Sequence, residues 1–205
     1  MEQRTEEWHL ARAGKVTASR VADVIARTKT GYGASRASYM AELVIERITG
    51  QPTEKFTSSA MQWGTEKEPE ALALYQVETG ALVDQVGFVP HPKIEASGAS
   101  PDGLIDADGL IEIKCPNSAT HLDTLLLQKI PDRYQVQMLW QMACTGRAWC
   151  DFVSYDPRMP EHLRLFVQRF TRDEDRLKDI EDQVRIFIQE IDQKVADLNQ
   201  LYRKD

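Results

Sequence analysis

The spacing of hydrophobic residues along the chain separates segments of helical period from segments of strand period. Between residues 173 and 202 apolar side chains recur every three or four positions, which predicts a long amphipathic helix. Its apolar stripe suits packing against either the core or a second subunit, and we favour the core. Apolar and polar residues alternate in 110–114, 149–155 and 163–170, which predicts three strands.

Other segments carry helix start and stop signals. Thr17 is placed to cap a helix, and Pro69 favours a kink or a restart inside another. The predicted helices, several of which end at a glycine or before a proline, are 8–12, 17–26, 35–48, 59–79, 119–129 and 132–145. Two further strands are predicted at 81–89 and 93–98.

This order of elements predicts one α/β (α+β) domain over residues 1–205. Helices come first, then a central mixed sheet of about five strands with two helices inserted, and then the long helix. A chain of 205 residues is long enough to bury one good core.

The composition mainly excludes classes of protein. With 42% hydrophobic and 28% charged residues the chain reads as a soluble globular protein. No apolar run approaches the roughly 20 residues that span a bilayer, and the charged first ten residues do not resemble a signal peptide. Three cysteines without metal-ligand spacing favour a reducing cytoplasm, with the thiols packed as small hydrophobic groups.

The charge is unevenly distributed along the chain. The net charge of −7 argues against indiscriminate binding of nucleic acid. Residues 11–36 nevertheless hold six basic residues and one acid, whereas residues 173–205 hold ten acids and six bases. The first segment could therefore face an anion while the second stays in solvent, although both could equally be solvated helical surfaces.

The candidate chemistry lies between residues 100 and 116. Asp102 sits in a predicted tight turn, and a hairpin turn at 106–109 leads into the strand that carries Glu112 and Lys114. Alternation places these two charged residues on one face of the strand. Carboxylates are preferred ligands of Mg²⁺, and a neighbouring lysine can orient or deprotonate water. The alternative is an ordinary solvated face of an edge hairpin.

Several other residues are interpreted as structural and not as catalytic. The four histidines have no ligand spacing, so none is assigned to a metal. Residues 155–158 are predicted to form a turn, and nothing near Cys115 indicates a nucleophilic thiol.

The chain resembles a known nuclease family. Ser100-Pro101-Asp102-Gly103 followed by Glu112-Ile113-Lys114 is similar to the PD-(D/E)xK signature, and the wider pattern resembles its lambda-exonuclease (YqaJ-type viral recombinase) branch. The other matching pieces, which occur in the family's order over nearly the whole chain, are Trp8, Arg12-x-Gly14-Lys15-x-Thr17-Ala18-Ser19, Trp63-Gly64-x3-Glu68, Lys114-Cys115-Pro116, Tyr134-x-x-Gln137 and Tyr155-Asp156-Pro157-Arg158.

This resemblance implies a restriction-endonuclease-like core and a Mg²⁺-dependent 5′→3′ exonuclease. Such enzymes digest one strand of linear double-stranded DNA and leave 3′ single-stranded overhangs. The resemblance further implies two Mg²⁺ ions per site, for which Mn²⁺ can substitute. It also implies a homotrimeric ring that encloses DNA, a single-strand-annealing partner protein, and phage or prophage origin in a bacterial cytoplasm.

The resemblance also assigns roles to residues of the catalytic region. Asp102, Glu112 and the carbonyl of Ile113 are expected to bind one metal ion, and Glu68 to contribute to the second. Lys114 is expected to hold or deprotonate the attacking water. Gln137 is expected to position that water or the lysine, with the neighbouring residues Gln135 and Gln141 left open as alternatives.

A second set of residues matches the family's contacts with the DNA end. Arg12, Ser19 and Ser100 resemble its pocket for the 5′-terminal phosphate, and guanidinium and hydroxyl donors suit phosphate oxygens. Met61 matches an apolar residue that wedges between the DNA strands, and the alternative is an ordinary core methionine.

Other functions remain as alternatives. A PD-(D/E)xK endonuclease usually needs base-reading elements, and no helix-turn-helix or zinc motif is visible. A Cas4-like nuclease needs cysteines for an iron–sulfur cluster, which three scattered cysteines do not supply. A catalytically inactive DNA-end-binding subunit would not need Asp102, Glu112, Lys114 and Glu68 together.

Overall fold

The computed structural model describes residues 1–53 and 57–202. The helices are α1 (Glu6–Arg12), α2 (Val21–Ile25), α3 (Ala34–Thr49), α4 (Ser59–Thr79), α5 (Ser118–Leu127), α6 (Asp132–Thr145) and α7 (Glu174–Tyr202). The strands are β1 (Val16–Thr17), β2 (Arg27–Thr28), β3 (Gly31–Tyr32), β4 (Val83–Asp84), β5 (Val89–Pro90), β6 (Ser97–Ala99), β7 (Gly103–Ile105), β8 (Gly109–Lys114), β9 (Trp149–Tyr155) and β10 (Leu165–Thr171).

The central sheet has five strands in the order β10-β9-β8-β7-β4. Strands β8 and β9 run parallel, and the other neighbours are antiparallel. The predicted mixed sheet of about five strands is therefore confirmed. A smaller three-stranded sheet, β1-β6-β5, and the β2-β3 hairpin lie beside it.

Apolar clusters cover both faces of the central sheet. The larger cluster joins α2, α3, α6 and α7 to one face, with Trp140 and Phe187 fully buried at its centre. The smaller cluster packs Ala71 and Tyr75 of α4 on the other face, against Ile111. Both faces of β8 and β9 are therefore buried, including polar side chains such as Glu112 and Asp151.

Helix α7 packs against the core, as its stripe predicts. The side chains of Leu177, Val184 and Ile191 are buried, whereas Leu198 beyond them is 38% exposed. Its acidic side chains do not all stay in solvent, because Glu190 pairs with Arg36 of α3. We expected the basic segment 11–36 to face an anion and the acidic segment 173–205 to stay in water. For Arg36 and Glu190 this expectation is wrong, because the two segments pair with each other.

Some predicted elements differ from the observed ones. The expected helix at 17–26 is a 3₁₀ turn at Ala18–Arg20 followed by the short α2, and Thr17 makes no capping bond with its side chain. The predicted strands at 81–89 and 93–98 shrink to two or three residues each. That region contains two prolines and two glycines, which interrupt strands, and it exposes Leu82 although Ile94 and Ser97 are buried.

Helix α4 continues through Pro69 without a restart. Proline cannot donate to the carbonyl four residues earlier, which belongs to Thr65. Thr65 is exposed, so water can satisfy that carbonyl. The continuity matters because it fixes Glu68 on the same rigid helix as the buried Tyr75.

Candidate active site

Strand β8 presents its two faces to different partners. Ile111 and Ile113 lie in the apolar cluster with α4, and the Glu112 side chain, which is completely buried, points to α6. Glu112 and Lys114 form an ion pair on their shared face. The predicted alternation is therefore confirmed, and the alternative of a solvated hairpin face is wrong for Glu112.

The Glu112 carboxylate is held from both sides. Gln137 Nε2 donates to Oε1 and Gln141 Nε2 donates to Oε2, each at 2.6 Å. Gln135 turns away, because its amide donates to the carbonyl of Ile130. Two glutamines one helical turn apart therefore orient Glu112. The i, i+4 spacing from Gln137 is the sequence signal that could have singled out Gln141.

Asp102 is tied to the same strand. Its Oδ2 accepts a hydrogen bond of 2.7 Å from the amide of Ile113. Burial raises the pKa of Asp102 well above its ordinary value, and the nearby Glu112 and Glu68 carboxylates raise it further against the opposing effect of Lys114. The carboxyl of Asp102 is therefore costly to ionise unless a cation is added beside it.

Gly103 is required for a different reason than the predicted turn. It lies in strand β7, and a Cβ there would come within 2.1 Å of the Val83 side chain. Close packing of β4 against β7, and not a free turn conformation, excludes a side chain beside Asp102.

Lys114 points into a cleft. Its side chain is 27% exposed, and its Nζ lies 5.3 Å from the centre of the Tyr134 ring. Burial alone would lower the pKa of Lys114, but the Glu112 and Asp102 carboxylates outweigh that effect and raise it above its ordinary value. In this arrangement Lys114 is a charged donor and not a base.

Glu68 reaches the site from α4, on the other side of the sheet from α6. Its Oε2 accepts a hydrogen bond of 2.6 Å from Arg4 Nη2. Within residues 1–53 and 57–202, no group of three or more His, Cys, Asp or Glu side chains is already gathered as a metal-binding cluster. Arginine and lysine partners hold Glu68 and Glu112 instead.

The cleft in front of these groups has a volume of about 990 Å³. Besides Lys114, it is lined by the basic residues Arg4, Arg133 and Arg158. The Arg158 guanidinium lies over the Trp63 ring at 4.4 Å. Cations interleaved with aromatic rings suit the phosphates and bases of a nucleic-acid strand.

Arg158 also accounts for the predicted turn at 155–158. Its backbone amide and guanidinium both donate to the buried Asp156, and its Nη2 donates to the carbonyl of Pro116. The turn is confirmed, and its arginine belongs to the wall of the cleft.

A second pocket of about 590 Å³ contains Arg12. Arg12 Nη1 and Trp8 Nε1 donate to Ser100 Oγ at 3.0 and 2.9 Å. Because Ser100 accepts both bonds, its own hydrogen is available for an acceptor. Burial lowers the pKa of Arg12, although its guanidinium remains a cation at neutral pH.

The two cavities meet at shared walls. Ser19 and Met61 line both the pocket around Arg12 and the cleft in front of Lys114. Met61 is 55% exposed, so the alternative of a core methionine is wrong. The structure thus brings Arg12 and Ser100 into contact, and it places Ser19 and Met61 on the wall shared with the cleft.

The cysteines and His121 have structural surroundings. All three cysteines are buried, and burial raises the pKa of Cys115 to about 12, so it is not a nucleophilic thiol. The buried imidazole of His121 bonds to Ser154 and to the carbonyl of Leu163 and is used structurally.

Comparison with known proteins gives the family. Residues 7–148 match the family described as the YqaJ-like viral recombinase domain. This chain belongs to that family. The resemblance to the lambda-exonuclease branch is confirmed, and no curated protein matches the chain.

Solved structures of similar proteins support the same assignment of this YqaJ-like chain. The alkaline exonuclease LHK-Exo from Laribacter hongkongensis is 51% identical over 96% of this chain and 97% of its own, with a TM-score of 0.89. LHK-Exo in complex with dAMP matches over the same shares, with a TM-score of 0.90. A phage related exonuclease from Haemophilus somnus 129PT is 17% identical over 90% and 96% of the two chains, with a TM-score of 0.73.

The fold of this YqaJ-like protein is therefore that of the alkaline exonucleases, as expected. The Haemophilus somnus protein supports the fold alone at its low identity. Among the described residues, no helix is long and apolar enough to cross a membrane.

Proposed function

We propose that this protein is a Mg²⁺-dependent 5′→3′ exonuclease that digests one strand of linear double-stranded DNA and leaves 3′ single-stranded overhangs. The observation that carries the proposal is the shared wall of two cavities, one lined by Lys114 and Glu68 and the other by Arg12, whose guanidinium donates to Ser100. The 51% identity to an alkaline exonuclease supports a nuclease. LHK-Exo's complex with dAMP supports a site that accepts a nucleoside monophosphate.

The residues present fit divalent cations. Asp102, Glu112 and Glu68 offer only oxygen ligands, which Mg²⁺ prefers. Burial, reinforced by the Glu112 and Glu68 carboxylates, raises the pKa of Asp102, and a bound cation would offset the cost of ionising it. Asp102, Glu112 and the Ile113 carbonyl would hold one ion and Glu68 would contribute to the second. When bound, the two ions supply the Lewis-acid chemistry of an in-line phosphodiester hydrolysis.

The protein's own side chains orient this chemistry. Gln137 and Gln141 fix both oxygens of Glu112, so the ligand does not need to reorganise when it is used. Lys114 holds the attacking water as a hydrogen-bond donor, because its pKa is raised. Deprotonation of that water by Lys114 is not favoured in this state.

The direction of digestion follows from the second pocket. A 5′-terminal phosphate that accepts hydrogen bonds from Arg12, Ser100 and Ser19 places the first nucleotide toward the carboxylates. The exposed Met61 lies on the shared wall, where it can separate that nucleotide from its partner strand. An end that carries a 5′ phosphate gives the half-buried Arg12 an anionic partner.

Membership of the family supports further proposals about oligomeric state, partner protein and location. We propose a homotrimer around DNA and a single-strand-annealing partner, in a bacterial cytoplasm with phage or prophage origin. The measurement for the trimer is the mass in solution by light scattering. A monomer at micromolar concentration would contradict the ring.

The decisive experiment is digestion of a 5′-phosphorylated linear duplex that is labelled separately at each end, with Mg²⁺ and with EDTA. We expect Mg²⁺-dependent release of the 5′ label while the complementary strand stays intact. Cleavage of closed circles would favour an endonuclease, and no digestion in either condition would favour an inactive end-binding subunit.

The same digestion assay tests the phosphate pocket through the variant Arg12→Ala. Arg12→Ala should slow digestion of 5′-phosphorylated ends by about 10²-fold, because it removes a charge-assisted contact from a buried site. Digestion of 5′-hydroxyl ends should change little. Equal loss on both kinds of end would contradict the proposed pocket.

A further inference from the structure

Arg4 adopts a backbone conformation that is costly for its residue type. Its φ is 68°, in the left-handed region that favours glycine. A non-glycine side chain is sterically disfavoured there. An arginine that accepts this cost points to a role for its side chain.

The residues on both sides of Arg4 are anchored. Gln3 Nε2 donates to the carbonyls of Val86 and Pro101, each at 2.8 Å. Thr5 caps α1 by accepting a hydrogen bond from the amide of Trp8. These anchors fix the Arg4 backbone beside Pro101, the residue that precedes Asp102.

The Arg4 guanidinium bonds to Glu68 at the boundary between two cavities. The cleft in front of Lys114 is one of them, and a chamber of about 420 Å³ that contains Asp102 is the other. Arg4 and Glu68 are the residues that line both. Their ion pair therefore stands between Asp102 and the main cleft.

We propose that Arg4 is a displaceable counter-ion of Glu68, which a divalent cation must release before it can use that carboxylate. The inference rests on the proposed metal-dependent function. The guanidinium occupies Glu68 Oε2, an oxygen that a second cation needs. Arg4 is 48% exposed and Glu68 27%, and such exposed pairs are weak enough to exchange.

Arg4 differs in this respect from the cation at the neighbouring carboxylate. Lys114 comes from the same strand as Glu112, and the carboxylate keeps its two glutamine donors whether or not the lysine moves. Glu68 has Arg4 as its one described ion-pair partner in residues 1–53 and 57–202. Release of Arg4 frees Glu68 and leaves the guanidinium at the mouth of the cleft.

The test is a calorimetric titration of the metal-free full chain with Mn²⁺ at low salt. Arg4→Ala should bind the weaker of two Mn²⁺ ions roughly fivefold more tightly, because it removes a competitor worth about 1 kcal/mol. Arg4→Gly removes the same charge together with the strained backbone, so it should show the same gain. Arg4→Lys keeps a competing charge and should stay near the wild type.

Arg133→Ala is the matched control. It removes a cation from the same cleft whose described hydrogen bond goes to Tyr134 and not to Glu68. Its Mn²⁺ affinity should therefore change less than twofold. In a Glu68→Gln background, Arg4→Ala should have no further effect on the remaining ion.

The outcomes separate this inference from the function on which it rests. Two Mn²⁺ ions with equal affinities in wild type and Arg4→Ala would overturn the role of Arg4 alone, as would equal tightening in Arg133→Ala. Absence of Mn²⁺ binding in every variant, wild type included, would overturn both the role of Arg4 and the proposed metal dependence.

Discussion

Glu112 and Glu68 both serve the cleft, yet the protein holds them in opposite ways. Glu112 is fully buried, and its oxygens are fixed by two glutamines of α6 and by Lys114. Glu68 is partly exposed and pairs with Arg4, from a segment 64 residues away in sequence. The first carboxylate is built into the core, and the second is held by a contact that can exchange.

This difference indicates that half of the site is preorganised and half is adjustable. A buried, hydrogen-bonded carboxylate costs free energy to create but keeps its geometry without a ligand. An exposed ion pair stabilises little and is screened by salt. Metal loading and DNA entry should therefore act mainly on the Glu68 side.

The largest effect should come from removing the two carboxylates one at a time. Glu112→Gln should lower the rate of digestion by at least ~10³-fold and abolish Mn²⁺ binding, because it removes the preorganised ligand. Glu68→Gln should lower the rate by ~10²-fold and keep one Mn²⁺ ion, as measured by calorimetry. Glu66→Gln, a neighbouring exposed acid of α4, is the control and should do neither. Loss of both ions in Glu68→Gln would contradict the distinction between a preorganised Glu112 and an adjustable Glu68.

Next come the glutamines that hold Glu112. Gln137→Leu and Gln141→Leu should each lower the digestion rate by roughly 10–100-fold, because each removes one of the two amide donors that orient the carboxylate. Gln135→Leu is the matched control on the same helix and should leave the rate within about twofold. Rates at saturating DNA measure the effect. An equal loss in all three variants would indicate damage to α6 and not misorientation of Glu112.

Asp156 is an intermediate case, since it is fully buried but pairs with the half-exposed Arg158. Burial alone would raise the pKa of Asp156, but the hydrogen bonds from Arg158 outweigh it and lower the pKa. The ionised carboxylate therefore stabilises the fold above the ordinary carboxyl pKa, and this contribution is lost as the pH falls through the lowered value.

Asp156→Asn should accordingly lower Tm by about 2–4 °C at pH 7, corresponding to roughly 1 kcal/mol. The difference from wild type should shrink as the pH falls below about 4. Thermal unfolding between pH 3 and 7 measures it. A difference that does not depend on pH would mean that the charge of Asp156 contributes nothing.

The smallest effect should concern the backbone of Arg4. Arg4→Gly and Arg4→Ala both remove the ion pair with Glu68, but only glycine relieves the left-handed strain. Arg4→Gly should therefore unfold at a Tm about 2–4 °C above that of Arg4→Ala, for a difference of roughly 1 kcal/mol. Equal values would show that the anchors at Gln3 and Thr5, and not the residue type, set this conformation.

The sequence was informative where periodicity and burial agree. Alternation in β8 predicted the face shared by Glu112 and Lys114, and the stripe of α7 predicted its packing on the core. Periodicity failed between residues 81 and 98, where prolines and glycines interrupt the predicted strands. The predicted turn at Asp102 does not explain Gly103, which must lack a side chain because Val83 on another strand approaches closely.

The site residues also differ in whether sequence spacing can identify them. Gln141 could have been identified by its helical spacing from Gln137, once Glu112 was placed opposite α6. No local pattern could have placed Arg4 on Glu68, because that contact depends on a left-handed backbone and on the return of the chain across the sheet. Contacts between distant segments depend on tertiary packing, which spacing alone does not encode.

The wall that Ser19 and Met61 share has a consequence for the length of the product. In the proposed enzyme, the pocket for the 5′ phosphate and the catalytic carboxylates belong to one folded domain. The distance between them is fixed by the fold. Each cycle should therefore release a fragment of the same length whatever the base sequence. A uniform product would then be a property of the scaffold's dimensions and not of recognition of the bases.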